Sequence, residues 1–465
     1  MWKTIRFVFE AAFWLPVMLL SGVIDVLKNL GFTWNKEEFS AKWTTGRDLK
    51  PFLRGDGFVV SKQGRRLVRL DSERSAIVFG QPGTGKSMMT MANLENIEGT
   101  PDLLVVDPKG ELLAFSEKML VLKGYDIIKI DLTDPLNSAG YDCLSYIERN
   151  SRYEVGRDTI SICDLLTPEG VGMSDTAQHF QESARNMVQS AILGLESWTL
   201  PDILTMLVVD KKRRTDVFES LRTHKHRLVR QGVEAFVSAG DRERGAMDST
   251  LSRKLRPFLD EANLEVMRGD WSFEDKFRAD RPFALFINTG MRNKINGGPF
   301  ARLVVGCALN TVRRMFDRKE DRKRPFWVFL DEAPILENCQ PIVEALTDLR
   351  SARVRLWACF HSHETVTSTY RNAGKLLDNM AWVISGGSKD IPLYEAAEKL
   401  AGEKVRTSKS VSKGDRKSET EHEARGPLVT VGEMHALRKS EVLAIAPGLL
   451  FKGQKPAPAG VKLRD

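Results

Sequence analysis

Apolar residues in this chain gather into short runs, and several of those runs stop at a Gly, a Pro or a carboxylate. Residues 75–79 (SAIVF), 102–107 (DLLVVD), 125–130 (YDIIKI), 283–287 (FALFI), 326–330 (FWVFL), 354–360 (VRLWACF) and 382–384 (WVI) each predict a buried strand. Helices are predicted over 88–96, after the first run, and over 300–316, after the fourth. Strands alternating with helices predict a parallel sheet covered on both faces. Residues 58–60 (FVV) and 67–70 (LVRL) flank a Lys-Gln-Gly turn and predict a hairpin.

From about residue 141 to 271 the pattern changes. Strand-like runs disappear and helical periodicity takes over, as in 177–196. The expected fold class is α/β, with an all-helical domain inserted into it. The expected division is a first part at 31–140, the helical insertion at 141–275 and a second part at 276–465. Residues 407–426 are rich in Lys, Ser, Glu and Gly with few apolar positions, and predict a disordered loop.

One apolar stretch is of another kind. Residues 11–24 (AAFWLPVMLLSGVI) carry no charge but are bracketed by Glu10 and Asp25. A spanning helix needs about 20 apolar residues, so this is a marginal span, an interfacial helix or a helix packed on a partner. With Trp2, Trp14 and Trp34 placed for interfaces, residues 1–30 are read as a membrane-associated segment. Lys36, Lys42, Arg47, Lys50 and Arg54 follow it and put the remainder on the cytoplasmic side.

At 465 residues the chain is long enough for two or three domains. Its net charge of +7 permits an acidic partner without requiring one. The five cysteines are scattered with no Cys-x-x-Cys pair, which argues against a zinc site or disulfide framework and for a reducing compartment.

The candidate chemistry begins at residues 80–87, GQPGTGKS, between the first predicted strand and its helix. This is the phosphate-binding loop pattern in the context that gives it meaning. Gly80, Gly83 and Gly85 let the chain curl around phosphate oxygens, with the Thr84 backbone among them. Lys86 is placed to reach β- and γ-phosphates, and Ser87 to ligate Mg²⁺. ATP and Mg²⁺ are the expected cofactors. The run 326–330 ends in Asp331-Glu332, the partner such a loop requires. Asp331 would hold the Mg²⁺ shell and Glu332 would orient or deprotonate the attacking water. Arg350 and Arg353 could stabilise transition-state charge, across a subunit boundary if the protein forms a ring, although surface arginines often do nothing of the kind. His361, at the tip of a predicted central strand, is placed near a γ-phosphate.

Residues 211–230 (KKRRTDVFESLRTHKHRLVR) hold eight Lys or Arg against Asp216 and Glu219. Such runs are usually a solvated helix face. This one is dense enough that Lys211, Lys212, Arg213 and Arg214 are carried as candidate nucleic-acid phosphate contacts.

Taken together these residues resemble the type IV coupling proteins, conjugative DNA-translocating ATPases of the TraG/TraD kind. The phosphate loop is shared with many ATPases. More specific are DPKGEL at 107–112, HFQESARNMVQSAILGL at 179–195, STLSRKLRPFLD at 249–260, FLDEAPILEN at 329–338 and ALTDLRSARVRLWACFHS at 345–362. ISGGSKD at 384–390 and GPLVTVGEM at 426–434 resemble the last strands of that family's sheet. The resemblance places the Walker B acids on Asp331 and Glu332 and the arginine finger on Arg350. It implies an α/β fold, a RecA-like P-loop NTPase domain with an inserted all-helical domain, and a homo-hexamer at the bacterial inner membrane with its ATPase domain in the cytoplasm. It implies ATP-driven pumping of relaxase-bound single-stranded DNA into a type IV secretion channel. An FtsK-like or packaging-type motor outside conjugation, and an ATP-binding adaptor that delivers proteins, are the alternatives. Where the family usually carries a γ-phosphate-sensing Gln, this chain has His361.

Overall fold

The structure, a computed structural model, describes residues 40–170, 172–412 and 418–459. The membrane-associated segment expected at residues 1–30 lies outside them. Among the described residues no helix is long and apolar enough to cross a membrane.

The strands are β1 (Val59–Gln63), β2 (Arg66–Arg69), β3 (Ala76–Phe79), β4 (Asp102–Val106), β5 (Asp126–Asp131), β6 (Phe283–Asn288), β7 (Phe326–Leu330), β8 (Val354–Phe360), β9 (Ala381–Ser385), β10 (Glu403–Ser412), β11 (Ser418–Pro427), β12 (Glu441–Ala446) and β13 (Leu449–Gln454). All but β10 and β11 form one sheet, in the order β2-β1-β13-β12-β9-β3-β8-β7-β4-β6-β5. From β9 to β5 every neighbouring pair is parallel. β12, β13, β1 and β2 extend the sheet with antiparallel pairs.

The central strands β3, β4, β7, β8 and β9 are buried at every position. That is why they read as continuous apolar runs rather than alternating ones. Phe58 packs its ring against Trp327, Phe329 and Trp357, with centroids 4.8, 5.5 and 5.4 Å away, and so seals one face of β7 and β8. Because the strands are parallel, the residues that follow β3, β8, β7 and β4 emerge along one edge of the sheet.

Between β5 and β6 the described residues form helices and no strands, from Val155–Leu166 to Phe273–Arg278. The helix Lys294–Asp317 joins β6 to β7. It starts six residues before the predicted 300, straight through Gly297-Gly298-Pro299. Gly and Pro ordinarily disfavour a helix interior, but here the glycines are there for close approach. A Cβ on Gly298 would lie 2.2 Å from the Ile335 carbonyl oxygen, in the segment after β7.

One further expectation is corrected. Of the polar segment 407–426, read as a disordered loop, residues 407–412 and 418–426 belong to the antiparallel strands β10 and β11, paired from Glu403↔Pro427 to Ser412↔Ser418. Its backbone ladder satisfies itself without the apolar face that a sequence pattern detects. This hairpin belongs to one compact unit, and the sheet of β1–β9, β12 and β13 to another. The basic stretch 211–230 is divided between two helices, Lys211–Leu221 and Arg227–Val237.

Candidate functional site

The loop between β3 and the helix Lys86–Glu95 curls as its glycines permit. Gly83 and Gly85 have φ of 78° and 86°, where any side chain would be strained. Gly80 is needed for space: a Cβ there would lie 2.4 Å from Thr84 Oγ1. Thr84 is buried, and its hydroxyl closes the turn by donating to the Gln81 carbonyl at 2.7 Å.

Lys86 is buried, and burial lowers its pKa. Its ammonium donates to the Gly80 carbonyl and lies 3.4 Å from that of Gln81. It also lies 3.2 Å from His361 Nδ1, at the end of β8. An ammonium has only protons to give, so Nδ1 accepts and the His361 proton sits on Nε2. From there it donates to Glu332 Oε1 at 2.8 Å. Burial alone would raise the Glu332 carboxyl. The hydrogen bond from His361, with the charges of Lys294 and Lys86, outweighs burial and holds it below its ordinary value.

Asp331, at the tip of β7, accepts from Ser87 Oγ at 2.7 Å and from Thr90 Oγ1 at 3.1 Å. Trp357 Nε1 donates to the same Thr90 oxygen at 3.1 Å, which ties the carboxylate to the aromatic core. Burial pushes the Asp331 carboxyl up despite both hydroxyl bonds. Ser87 and Asp331 thus present two hard oxygen donors side by side at the mouth of the loop, which suits Mg²⁺. Among the described residues no cluster of three His, Cys, Asp or Glu side chains could hold a metal alone. A two-residue site of this kind leaves the remaining ligands to phosphate and water.

Asp107 follows β4, which runs beside β7. Its Oδ2 accepts from the backbone N–H of Leu112 and Leu113 at 2.8 and 3.0 Å, which starts the helix Glu111–Leu122. Burial, reinforced by the Asp331 charge, pushes its carboxyl up to about 6.

The structure therefore brings together Gly80, Gly83, Thr84, Gly85, Lys86, Ser87, Asp331, Glu332 and His361. It leaves Arg350 out. That residue precedes β8, at the edge where the parallel strands begin, and its guanidinium pairs with Glu73 at 3.1 Å. The length of a seven-residue strand, roughly 20 Å, separates it from the phosphate loop of its own chain. Arg353 is engaged elsewhere too, donating to the Arg322 carbonyl.

In the basic stretch, Arg214 is removed from the candidate phosphate contacts. It is buried, donates to the Leu207 carbonyl at 2.6 Å and pairs with Asp248 at 2.7 Å. Lys211, Lys212 and Arg213 are exposed, with Arg213 lying over the Trp198 ring at 4.4 Å and Lys211 3.5 Å from Asp248. Sequence reasoning missed Thr90 and Trp357, which fix Asp331, and two donors behind the loop, Ser385 and Lys455. Thr90 and Trp357 carry a weak signal, being polar-capable residues inside apolar elements; Ser385 and Lys455 carry none.

Residues 23–460 match the family described as Type IV secretory system Conjugative DNA transfer. No curated protein sequence matches the chain significantly. Among solved structures, the chain resembles the bacterial conjugative coupling protein TrwBdeltaN70 in its unbound form, at TM-score 0.66 and 19% identity over 89% of this chain and 92% of that one. It resembles plasmid coupling protein TrwB in complex with ADP and Mg²⁺ at TM-score 0.65 and 20% identity, over 90% and 93% of the two chains. VirB4 of Thermoanaerobacter pseudethanolicus is similar at TM-score 0.51 and 14% identity, over 87% and 97%. At these identities the likeness is one of fold: a large, mostly parallel sheet of the RecA-like class with a helical region.

Proposed function

The chain belongs to the type IV secretory system conjugative DNA-transfer family, and from that premise we propose that it is the coupling ATPase of a conjugation system. It binds ATP with Mg²⁺ at the loop 80–87 and uses hydrolysis to move relaxase-bound single-stranded DNA toward a secretion channel. It works as a homo-hexamer held at the inner membrane through residues 1–30, with the ATPase in the cytoplasm. The observation that carries this reading is the meeting of Lys86, Asp331, Glu332 and His361 at neighbouring strand ends.

The chemistry follows from what these side chains do. The inward N–H groups of the loop bind phosphate oxygens, and Lys86 turns from the Gly80 carbonyl toward the β- and γ-phosphates. Ser87 and Asp331 would hold Mg²⁺, which neutralises phosphate charge when bound. Glu332, kept ionised, orients the attacking water and accepts its proton. His361 spans Lys86 and Glu332, so drawing Lys86 away toward phosphate alters the group that restrains Glu332. Lys211, Lys212 and Arg213 contribute exposed positive charge for DNA phosphates.

ATP turnover of the full chain, with and without single-stranded DNA, tests the proposal. A DNA motor should turn over faster with DNA. Turnover indifferent to DNA would favour the adaptor, and stimulation by duplex DNA alone would favour a motor outside conjugation.

A further inference from the structure

A second lysine lies against the phosphate loop, bonded to the carbonyl of Thr84. Lys455 follows β13 at the far end of the chain, yet only 2% of it is exposed. Its ammonium donates to the Thr84 carbonyl at 2.7 Å, the Gly386 carbonyl at 3.1 Å and the Lys439 carbonyl. Burying an ammonium is costly unless its protons are taken up, and these three carbonyls take them. They come from three segments: the phosphate loop, the turn after β9 and the turn before β12. A second donor meets the first of them, since Ser385 Oγ donates to the same Thr84 oxygen at 2.8 Å.

The geometry of the loop explains why that oxygen matters. Thr84 sits between Gly83 and Gly85, both left-handed. A loop that aims its N–H groups at phosphate must turn carbonyls the other way, and an outward carbonyl buried in protein needs donors. Thr84 has two, one of them charged. The ammonium also places a fixed positive charge behind a loop whose ligand is a polyanion.

We propose that Lys455 is a positioning residue of the phosphate loop: together with Ser385 it holds the Thr84 carbonyl outward and so keeps the loop shaped for phosphate. This rests on the nucleotide reading given above and adds the groups that pre-form the site. The loop is then already arranged in the empty protein, and the C-terminal segment becomes part of the nucleotide site.

Calorimetric titration of the full chain with Mg·ADP tests this, alongside thermal melting of the nucleotide-free protein. Lys455→Met should weaken ADP affinity roughly tenfold or more, the loss of a charged hydrogen bond. Lys455→Arg, which keeps the charge, should stay within about threefold of wild type. Ser385→Ala should weaken affinity less, and the double variant should lose less than the product of the two, because both act on one oxygen. A lower melting temperature with unchanged ADP affinity in Lys455→Met would overturn the proposal, leaving a lysine that only stabilises the fold. If that variant does not fold, Ser385→Ala decides, and unchanged affinity there overturns it. A wild-type chain that does not bind Mg·ADP would overturn the nucleotide reading itself, and this inference with it.

Discussion

The two edges of the parallel strands are both rich in charge, and they use it differently. Where the strands end, Lys86, His361 and Glu332 bond to one another, and Ser87 and Thr90 bond to Asp331. Where the strands begin, arginines bond chiefly to backbone. Arg322 reaches the Ala352 carbonyl, Arg353 that of Arg322, and Arg355 those of Ser72, Arg350 and Val354. Arg324 caps Ala279, Asp280 and Arg281 and pairs with Asp102 at 2.9 Å. Burial pushes Arg322 and Arg355 down to about 10. Side chains that hold one another can exchange partners when a phosphate arrives. Those that hold buried carbonyls strand them on leaving, a cost that Lys86, which also holds the Gly80 carbonyl, offsets with the phosphate it gains and that the arginines do not. One edge is thus built to rearrange and the other to stay fixed. Arg350 is the exception on the fixed edge: 61% of its side chain is exposed, and its partner Glu73 is as exposed at 62%.

The largest effect should come from the rearranging edge. Lys86→Ala removes the cation that meets the β- and γ-phosphates, and ATP turnover should fall by about a thousandfold or more. Turnover at the wild-type rate in a steady-state assay would move the site elsewhere. Glu332→Gln should keep nucleotide affinity and lose about a hundredfold or more in turnover, because activation of water alone is removed. Equal loss of binding in a titration would make Glu332 structural.

On the fixed edge the reverse is expected, with stability lost and affinity kept. Arg324→Met strands Asp102, whose side chain is 1% exposed, and should destabilise the fold by about 3–5 kcal/mol in denaturant melts. Burial already pushes the Asp102 carboxyl up to about 6 in spite of Arg324. A folded pKa above the unfolded one means that its contribution is fully present below about pH 4 and is lost as pH rises through 6. The variant should therefore lose more stability at pH 7 than at pH 5. A uniform loss across that window would contradict the assignment. The smallest effect belongs to neither edge. Neutralising Lys211, Lys212 and Arg213 should weaken single-stranded DNA binding and flatten the slope of log K against log salt by about 0.7 per lost contact. An unchanged slope would return this stretch to a solvated helix face.

What could be read from sequence follows from how local each feature is. The phosphate loop and Asp331-Glu332 are contiguous patterns attached to apolar runs, so both the residues and their strand ends were legible. His361 was legible because a strand tip beside the loop has few places to point. Arg214 was not, since its partner Asp248 lies 34 positions away and a run of basic residues looks the same whether or not one is inside. Lys455 was the least legible, because the carbonyls it caps come from Thr84, Gly386 and Lys439 and no spacing connects them. The hairpin of β10 and β11 escaped because its order lies in backbone pairing rather than an apolar face. The helix Lys294–Asp317 was shortened because Gly297-Gly298-Pro299 signals a break where it permits close packing.

The difference between the edges leaves one proposal that joins them: that the exposed Arg350 of one subunit would complete the nucleotide site of its neighbour. Alone, Arg350→Ala should keep ATP affinity and lose about a thousandfold in turnover, the worth of an arginine supplied in trans. The most direct measurement is ATP turnover in mixtures of Arg350→Ala with Lys86→Ala. Each supplies what the other lacks, so activity should return wherever an intact Arg350 faces an intact Lys86. Mixed rings that demonstrably form and stay inactive, or an Arg350→Ala protein as active as wild type, would contradict it.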